Sequence, residues 1–338
     1  MKAIILREHG GPDVLRYEDT PTPEPQAGEV LVKVHAVSVN RTLDLAVRAG
    51  TYARKVPLPH VIGTDPSGEI VAVGANVTDR KVGDRVAVTS WAHPTDPTQS
   101  LQIPGIHTWG GYAEYIKVPA AGTKMVPAGL DFATATVIAR HAPTAYFQLQ
   151  TQGEVRAGDW VLVMGASGGL GSMAVQVAKL LGAKVIGAAG ADDRVAQAIE
   201  LGADAGVNYR KDDLTAEVRR ITDGKGVAIV LENIGDPDIF PKALKSLARG
   251  GRLVTAGGHG GGKVTIDINF LYLNQNRIIG GTGARPGTFE AAMDAASAGK
   301  LKANIDRIMP LAQAAEAHAL VAARDITGKI ILDPTKTI

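Results

Sequence analysis

The sequence contains no cysteine. That excludes disulfides, thiol nucleophiles and every metal site built on thiolate ligands. Neither sign of charge dominates: 36 Lys and Arg against 34 Asp and Glu leave a net charge of +2, which argues against a dedicated nucleic-acid surface. No stretch approaches the ~18 consecutive apolar residues of a membrane span. The opening apolar run ends at Arg7, too short and too soon closed by charge for a signal peptide, so a cytoplasmic location is expected. There is no internal repeat and no low-complexity tract. The eight histidines are scattered, with no His-x-x-x-His or His-x-His spacing.

What is present is ordinary globular composition, 45% hydrophobic and 21% charged. A length of 338 residues suggests two domains. The 40 glycines cluster, notably at Gly165–Gly171 and Gly257–Gly262, where backbone must turn sharply or approach something closely.

Up to about residue 120 the chain shows short strand patterns at 30–37, 68–73 and 85–89, broken by turns such as Val82-Gly83-Asp84. This predicts a small β-barrel or sandwich. From Phe132 the texture changes. After a helix at 133–150, apolar strands at 160–164, 184–188, 205–208, 227–231 and 252–255 alternate with helices at 172–181, 192–201, 212–222 and 238–248, and a sixth strand is expected at 277–279 before a helix at 289–298. Such alternation predicts an α/β, doubly wound parallel sheet covered on both faces. The tail, a helix at 312–323 and a strand at 329–332, is expected to return to the first domain, and 90–110 to form a long irregular loop. The expected domains are therefore 1–125 with 304–338, and 126–303.

The sharpest motif is Val161-Leu-Val-Met-Gly-Ala-Ser-Gly-Gly-Leu-Gly171, a strand, a glycine turn and the opening of a helix. Read as a dinucleotide fingerprint, it has Ala166 in the first glycine slot and Gly168 and Gly171 in the others, with Ser167, Gly169 and Leu170 between them. Gly168 lets backbone approach a pyrophosphate, Gly171 lets the helix pack on the strand, and the helix N-terminus offers N–H groups and a positive dipole end. A tight turn with no ligand is the plain alternative. About 20 residues on, where an NAD site carries an acid, the sequence reads Gly187-Ala188-Ala189-Gly190-Ala191, and Arg194 follows. This favours NADP(H), with Arg194 pairing with the 2′-phosphate. Asp192 and Asp193 read as helix caps.

The whole chain resembles the medium-chain dehydrogenase/reductase superfamily, in its zinc-free, quinone oxidoreductase-like branch. The likeness rests, in order, on Gly10-Gly11-Pro12-Asp13-Val14-Leu15, Asp44-Leu-Ala-Val-Arg-Ala-Gly-Thr-Tyr52 and Leu58-Pro-His-Val-Ile-Gly-Thr-Asp-Pro-Ser-Gly68. It continues through Val82-Gly-Asp-Arg85, Gly110-Gly-Tyr-Ala-Glu-Tyr115, Thr144-Ala-Tyr146, the glycine turn, Leu201-Gly-Ala-Asp204 and Gly328-Lys-Ile-Ile-Leu332. The resemblance implies a GroES-like β-barrel catalytic domain, a Rossmann NADP(H)-binding domain and a cleft between them. It also implies a homodimer joined through Rossmann edge strands, the edge strand falling at 266–274. By the same likeness Thr144 lies near the nicotinamide, and Tyr209 and Arg324 lie near the 2′-phosphate. Asn233, Gly235, Ala256 and Gly257 pass the nicotinamide at carboxyl ends of strands. For Tyr209 packing at a strand end is the alternative, and for Arg324 a solvated helix end.

Zinc dehydrogenases of the superfamily hold their metal with a Cys, a His-Glu pair and a second Cys or Asp. Here those places read Ser38-Val-Asn-Arg-Thr42, Gly63-Thr64-Asp65 and Arg140, and a guanidinium cannot ligate a metal. No catalytic metal is expected. The small-molecule substrate must then be electrophilic already, a quinone or an α,β-unsaturated carbonyl, and side-chain donors must meet the charge that grows on its oxygen. The candidates are Asn40, Tyr52 and Arg140, with His141 and Trp109 as lining or packing residues. Tyr52 donates its phenolic proton or only shapes a rim. Asn40 stands four residues before Asp44 rather than three, so Arg41 competes for its slot. Arg140 supplies charge to an enolate or a substrate carboxylate, or forms a salt bridge with Asp65 or Asp44. The expected function is a zinc-independent, NADPH-dependent reductase of quinones or enones. The alternatives are an enoyl-thioester or acrylate-type reductase, an alcohol dehydrogenase, and a non-catalytic NADPH-binding protein.

Overall fold

The computed structural model describes residues 1–92, 101–324 and 326–337. The chain divides into two units, Met1–Arg140 with Ala303–Ile338, and His141–Lys302.

The first unit is built on a seven-stranded sheet. Its strands run in the order Ile305–Pro310, Lys329–Asp333, Glu29–Ser38, Ser67–Val73, Arg85–Val88 and Thr123–Met125, and Tyr115–Pro119 also pairs with Glu29–Ser38. Val30, Val32, Val34 and Val37 of the long central strand are fully buried. That strand shifts register twice against Ser67–Val73, and such irregularities bend a sheet. The C-terminal tail belongs to this unit: Ile331 and Leu332 pair antiparallel with Ser38 and Val37. The pairing brings Lys329 beside the end of the central strand. Of the expected loop at 90–110, residues 93–100, His93 among them, lie outside the described residues. Isolated bridges join Trp91 to Gln102 and Pro104 to Thr108.

The second unit is a six-stranded, wholly parallel sheet. The order is Ala205–Asn208, Lys184–Ala189, Trp160–Met164, Val227–Glu232, Leu247–Thr255, Arg277–Gly280. The order in which strands are added, not their direction, reverses between Trp160–Met164 and Val227–Glu232, which creates a switch point where loops diverge and ligands enter. Val161 to Met164 are all buried, as strands sandwiched between two helical layers must be. Local chemistry sets the helices: Asp213 opens Leu214–Ile221 by accepting the Ala216 N–H at 3.0 Å.

Two readings of the sequence need correction. Residues 266–274, expected as the edge strand, hold the helix Ile268–Leu273 instead, because Asp267 caps it by accepting the Phe270 N–H at 3.0 Å. The edge strand is Arg277–Gly280. The helix expected at 238–248 is shorter, Phe240–Lys245, and Leu247 already opens the next strand.

The helix Phe132–Tyr146 carries the chain from one unit to the other, and the dividing line falls inside it, after Arg140, rather than at 125. Pro143 in this helix lacks the N–H that the Ala139 carbonyl would accept, and the helix runs on into a π turn, Phe147–Gln152. Among the described residues no helix is long and apolar enough to cross a membrane.

Candidate dinucleotide site and buried polar cluster

In the second unit the strand Trp160–Met164 runs into Gly165, which takes φ +63°. The first special position of the turn is therefore Gly165, not Ala166. Ala166 is fully buried, and its N–H donates to the Ala188 carbonyl at 3.0 Å, so that N–H is not available to a phosphate. The Gly168 N–H donates to Gly165 O at 2.9 Å, and Gly168 is the N-cap of the helix Gly169–Leu180. A Cβ on Gly171 would overlap the Gly165 carbonyl, so only glycine lets this helix dock on the turn. The N–H groups of its first turn have no carbonyl within the helix to receive them. With the positive end of the dipole they form an anion cradle. A Cβ on Gly169 would meet the His141 imidazole Nε2 at 2.5 Å, which places that ring against the cradle.

Neighbouring strand ends close the rim. A Cβ on Gly165 would come within 2.8 Å of Asn233 Oδ1, and one on Gly257 would overlap the Asn233 carbonyl. Beneath them Glu232, fully buried, accepts the N–H groups of Ile234 at 2.8 Å and Gly235 at 3.0 Å and the Thr255 hydroxyl at 3.3 Å. Burial pushes its carboxyl up, and these donors oppose that shift. Thr144 is half-buried on the part of the connecting helix that belongs to this unit.

At the end of the strand Lys184–Ala189, a Cβ on Gly190 would stand 3.1 Å from Tyr209 Oη and 3.2 Å from Arg210 Nε. Tyr209 is held by its own N–H, which donates to Ala189 O at 3.1 Å. Arg194 lies in the first turn of the helix Asp192–Glu200, half-buried, with no ion pair among the described residues. Asp192 does not cap that helix as expected, nor does Asp193; the N-cap is Ala191, without a side-chain bond. The Asp192 carboxylate instead accepts Asn208 Nδ2 at 2.6 Å and pairs with Lys211. Those bonds, Lys211 foremost, hold it below the usual carboxylate range. Asp192 is thus already paired with a cation. Arg210 was missed at the sequence level, although its place directly after Tyr209 and a strand end was the available signal.

The first unit holds a buried polar cluster that gathers Ser38, Asn40, Asp44, Thr64 and Asp65. Asp65 accepts the Ser38 N–H at 3.0 Å, the Ser38 hydroxyl at 2.5 Å and Asn40 Nδ2 at 3.1 Å. The Asn40 amide also donates to Thr64 Oγ1 at 3.2 Å, and its Oδ1 accepts Lys329 Nζ at 2.7 Å. Lys329 Nζ donates as well to the Val39 carbonyl at 3.1 Å. The Asn40 N–H donates to Asp44 Oδ2 at 2.7 Å, and the Tyr112 hydroxyl donates to the same oxygen at 3.5 Å. Behind it stands His318, with Nε2 3.0 Å from Tyr112 Oη and Nδ1 3.4 Å from the Arg48 guanidinium. Arg48 can only donate, so Nδ1 accepts and Nε2 carries the proton.

Burial dominates the electrostatics. It raises the Asp44 carboxyl, helped by the Asp65 charge. Asp44 Oδ1 receives no donor among the described residues, a further reason for that carboxyl to hold a proton. Burial lowers Lys329 while Asp65 and Asp44 pull it back up. His318, fully buried beside Arg48, is lowered to about 3 and stays neutral. Lys329 is a second residue missed at the sequence level, because only the pairing of the tail with the central strand brings it to Asn40.

Of the other candidates, Tyr52 is half-buried and packs against the hydrophobic core of the first unit. Among the described residues no ion pair joins Arg140 to Asp65 or Asp44, yet its charge is felt by Asp44 and Lys329. Trp109 is 42% exposed. Arg324 is an exposed C-cap at φ +62° on the helix Ala314–Ala323, where a cation suits the dipole.

Both units match known families: residues 26–128 the alcohol dehydrogenase GroES-like domain, and residues 169–298 the zinc-binding dehydrogenase family. The chain is 34% identical to the quinone oxidoreductase of Homo sapiens over 98% of this chain and 97% of that protein. It is similar to the crystal structure of AibC, with a TM-score of 0.93 at 32% identity over 99% of this chain and 96% of that one. A crystal structure of an NAD-dependent alcohol dehydrogenase gives a TM-score of 0.89 at 36% identity, covering 98% and 99% of the two chains. The chain therefore belongs to the medium-chain dehydrogenase/reductase superfamily, in its quinone oxidoreductase-like branch, whose oxidoreductases draw on a nicotinamide dinucleotide.

Proposed function

We propose that this protein is a zinc-independent, NADPH-dependent reductase of quinones or α,β-unsaturated carbonyls. The observation that carries the reading is the Lys329 ammonium, bonded to Asn40 and acted on by Asp65 and Asp44 where relatives place a metal. The donor set supports it: residues 38–42 offer no Cys or His, Thr64 stands in the His place and Arg140 in the last ligand place. Among the described residues no three His, Cys, Asp or Glu side chains are grouped to hold an ion.

The glycine turn fits a diphosphate, and Arg194, Tyr209 and Arg210 fit a 2′-phosphate, with Asp192 already paired with Lys211. Asn233, Gly235, Ala256, Gly257 and Thr144 would hold the nicotinamide end. Bound there, the dinucleotide supplies the hydride. Tyr52 and Arg140 are the side chains of the first unit offered to the negative charge that grows on the substrate oxygen. Asn40, whose amide already bonds Lys329, Asp65 and Thr64, orients Lys329 rather than donating to substrate.

A second reading, reduction of an unsaturated acid or thioester, is favoured by Arg140, which has no ion pair among the described residues and whose guanidinium suits a carboxylate. Assembly as a homodimer through the open edge at Arg277–Gly280 belongs to the same proposal, and Ile268, Tyr272 and Leu273 stand exposed nearby in sequence. Oxidation of NADPH and NADH over a panel of quinones, enones, unsaturated acids and aldehydes tests the reading. Turnover of quinones or enones with NADPH is expected. Aldehyde reduction with NADH alone would reject it.

A further inference from the structure

We infer that Glu232 is a positioning residue that sets the loops holding the nicotinamide end of the dinucleotide; the inference rests on the dinucleotide site proposed above. Glu232 closes the strand Val227–Glu232 and is fully buried. No cation pairs with it among the described residues. Its partners are instead two backbone N–H groups of the loop that follows its own strand, Ile234 and Gly235, and the Thr255 hydroxyl at the end of the next strand.

A buried carboxylate without a counter-ion is costly, and an apolar side chain would fill a strand end more cheaply. What the carboxylate alone provides is an acceptor with several lone pairs that gathers donors from two loops at once. Further bonds tie the same loops together. The Ala256 N–H donates to Glu232 O at 3.0 Å, Gly260 N–H to Ile234 O at 2.7 Å, and Gly262 N–H to Gly235 O at 2.9 Å. Next to the carboxylate, Asn233 reaches the glycine turn, since a Cβ on Gly165 would meet its Oδ1 at 2.8 Å. Glu232 is thus the shared anchor of the segments bearing Asn233, Gly235, Ala256 and Gly257. None of its bonds reaches the Gly190 region, where the adenosine end would lie.

That asymmetry supplies the test. Glu232→Gln keeps the shape but has one acceptor oxygen in place of two, so its NH2 meets the Gly235 N–H where Oε2 stood. With intact protein held well below its unfolding midpoint, NADPH and the adenosine fragment 2′,5′-ADP are titrated by calorimetry. The expected result is NADPH binding weakened about tenfold, equivalent to about 1.4 kcal/mol, with 2′,5′-ADP binding unchanged. Unchanged binding of both, or equal weakening of both, overturns the inference. A wild type that binds neither overturns the dinucleotide site itself, a separate result. Should Glu232→Gln fail to fold, Thr255→Val removes one donor only. It is expected to weaken NADPH about threefold and to spare 2′,5′-ADP; no change in NADPH binding overturns the inference.

Discussion

Lys329 Nζ donates to Asn40 Oδ1 at 2.7 Å, joining the last strand of the first unit to the turn that leaves its central strand. The buried Asp65 and Asp44 carboxyls both act on the Lys329 charge. Removing one partner of such a cluster strands the remaining charges without compensation. Lys329→Met, which removes charge-assisted hydrogen bonds to Asn40 and Val39, is expected to cost about 1.5–3 kcal/mol of stability, read by urea denaturation. A loss within the scatter of surface substitutions would show that the amine is not a structural counter-ion.

His318 makes stability depend on acid. Its folded-state value is about 3 against 6.5 unfolded, so below pH 6.5 the unfolded chain takes up a proton that the folded chain refuses. The stabilisation is full above pH 6.5 and is lost as pH falls toward 3. The slope from this one residue approaches about 1.4 kcal/mol per pH unit. Denaturation at several pH values between about 7 and 5, above the range in which ordinary carboxylates titrate, should show a shallower slope for His318→Gln than for wild type. Equal slopes would mean that the imidazole protonates in place.

Gly171→Ala should abolish measurable NADPH binding and lower the melting temperature, because the new methyl overlaps the Gly165 carbonyl. Gly129→Ala is the control, since nothing lies within 4 Å of a Cβ there. A Gly171→Ala protein with normal affinity would remove the turn from the binding site.

Arg194→Ala and Arg210→Ala are each expected to weaken NADPH by about 1.5–3 kcal/mol, the range for a hydrogen bond to a charged group, while NADH binding stays unchanged. Parallel titrations give the ratio. If both cofactors weaken equally, neither arginine reads the 2′-phosphate.

The second unit was largely legible because its signals are local. Trp160–Met164 is a bare apolar run closed by glycine, and Ala205–Asn208 is bounded by turns, so periodicity and punctuation suffice. The exception at Ile268–Leu273 shows the limit: apolar and aromatic residues read as strand, but a capping Asp267 decided for helix. The polar cluster was only half legible. Asn40, Asp44, Asp65 and Arg140 drew attention by their places in the chain. Lys329, His318 and Tyr112 come from segments far apart in sequence, and only strand pairing and core packing bring them together. Glu232 fell just beyond the strand expected at 227–231, and its partners are backbone N–H groups that no side-chain pattern announces.

The central claim is that an electron-poor acceptor is reduced with side-chain cations in place of a metal. The most direct measurement is NADPH-dependent quinone or enone turnover by protein dialysed exhaustively against a chelator, with its metal content determined in the same sample. Undiminished turnover with only traces of metal is the predicted result. One zinc ion per chain, with activity lost on its removal and restored on its return, would contradict the account.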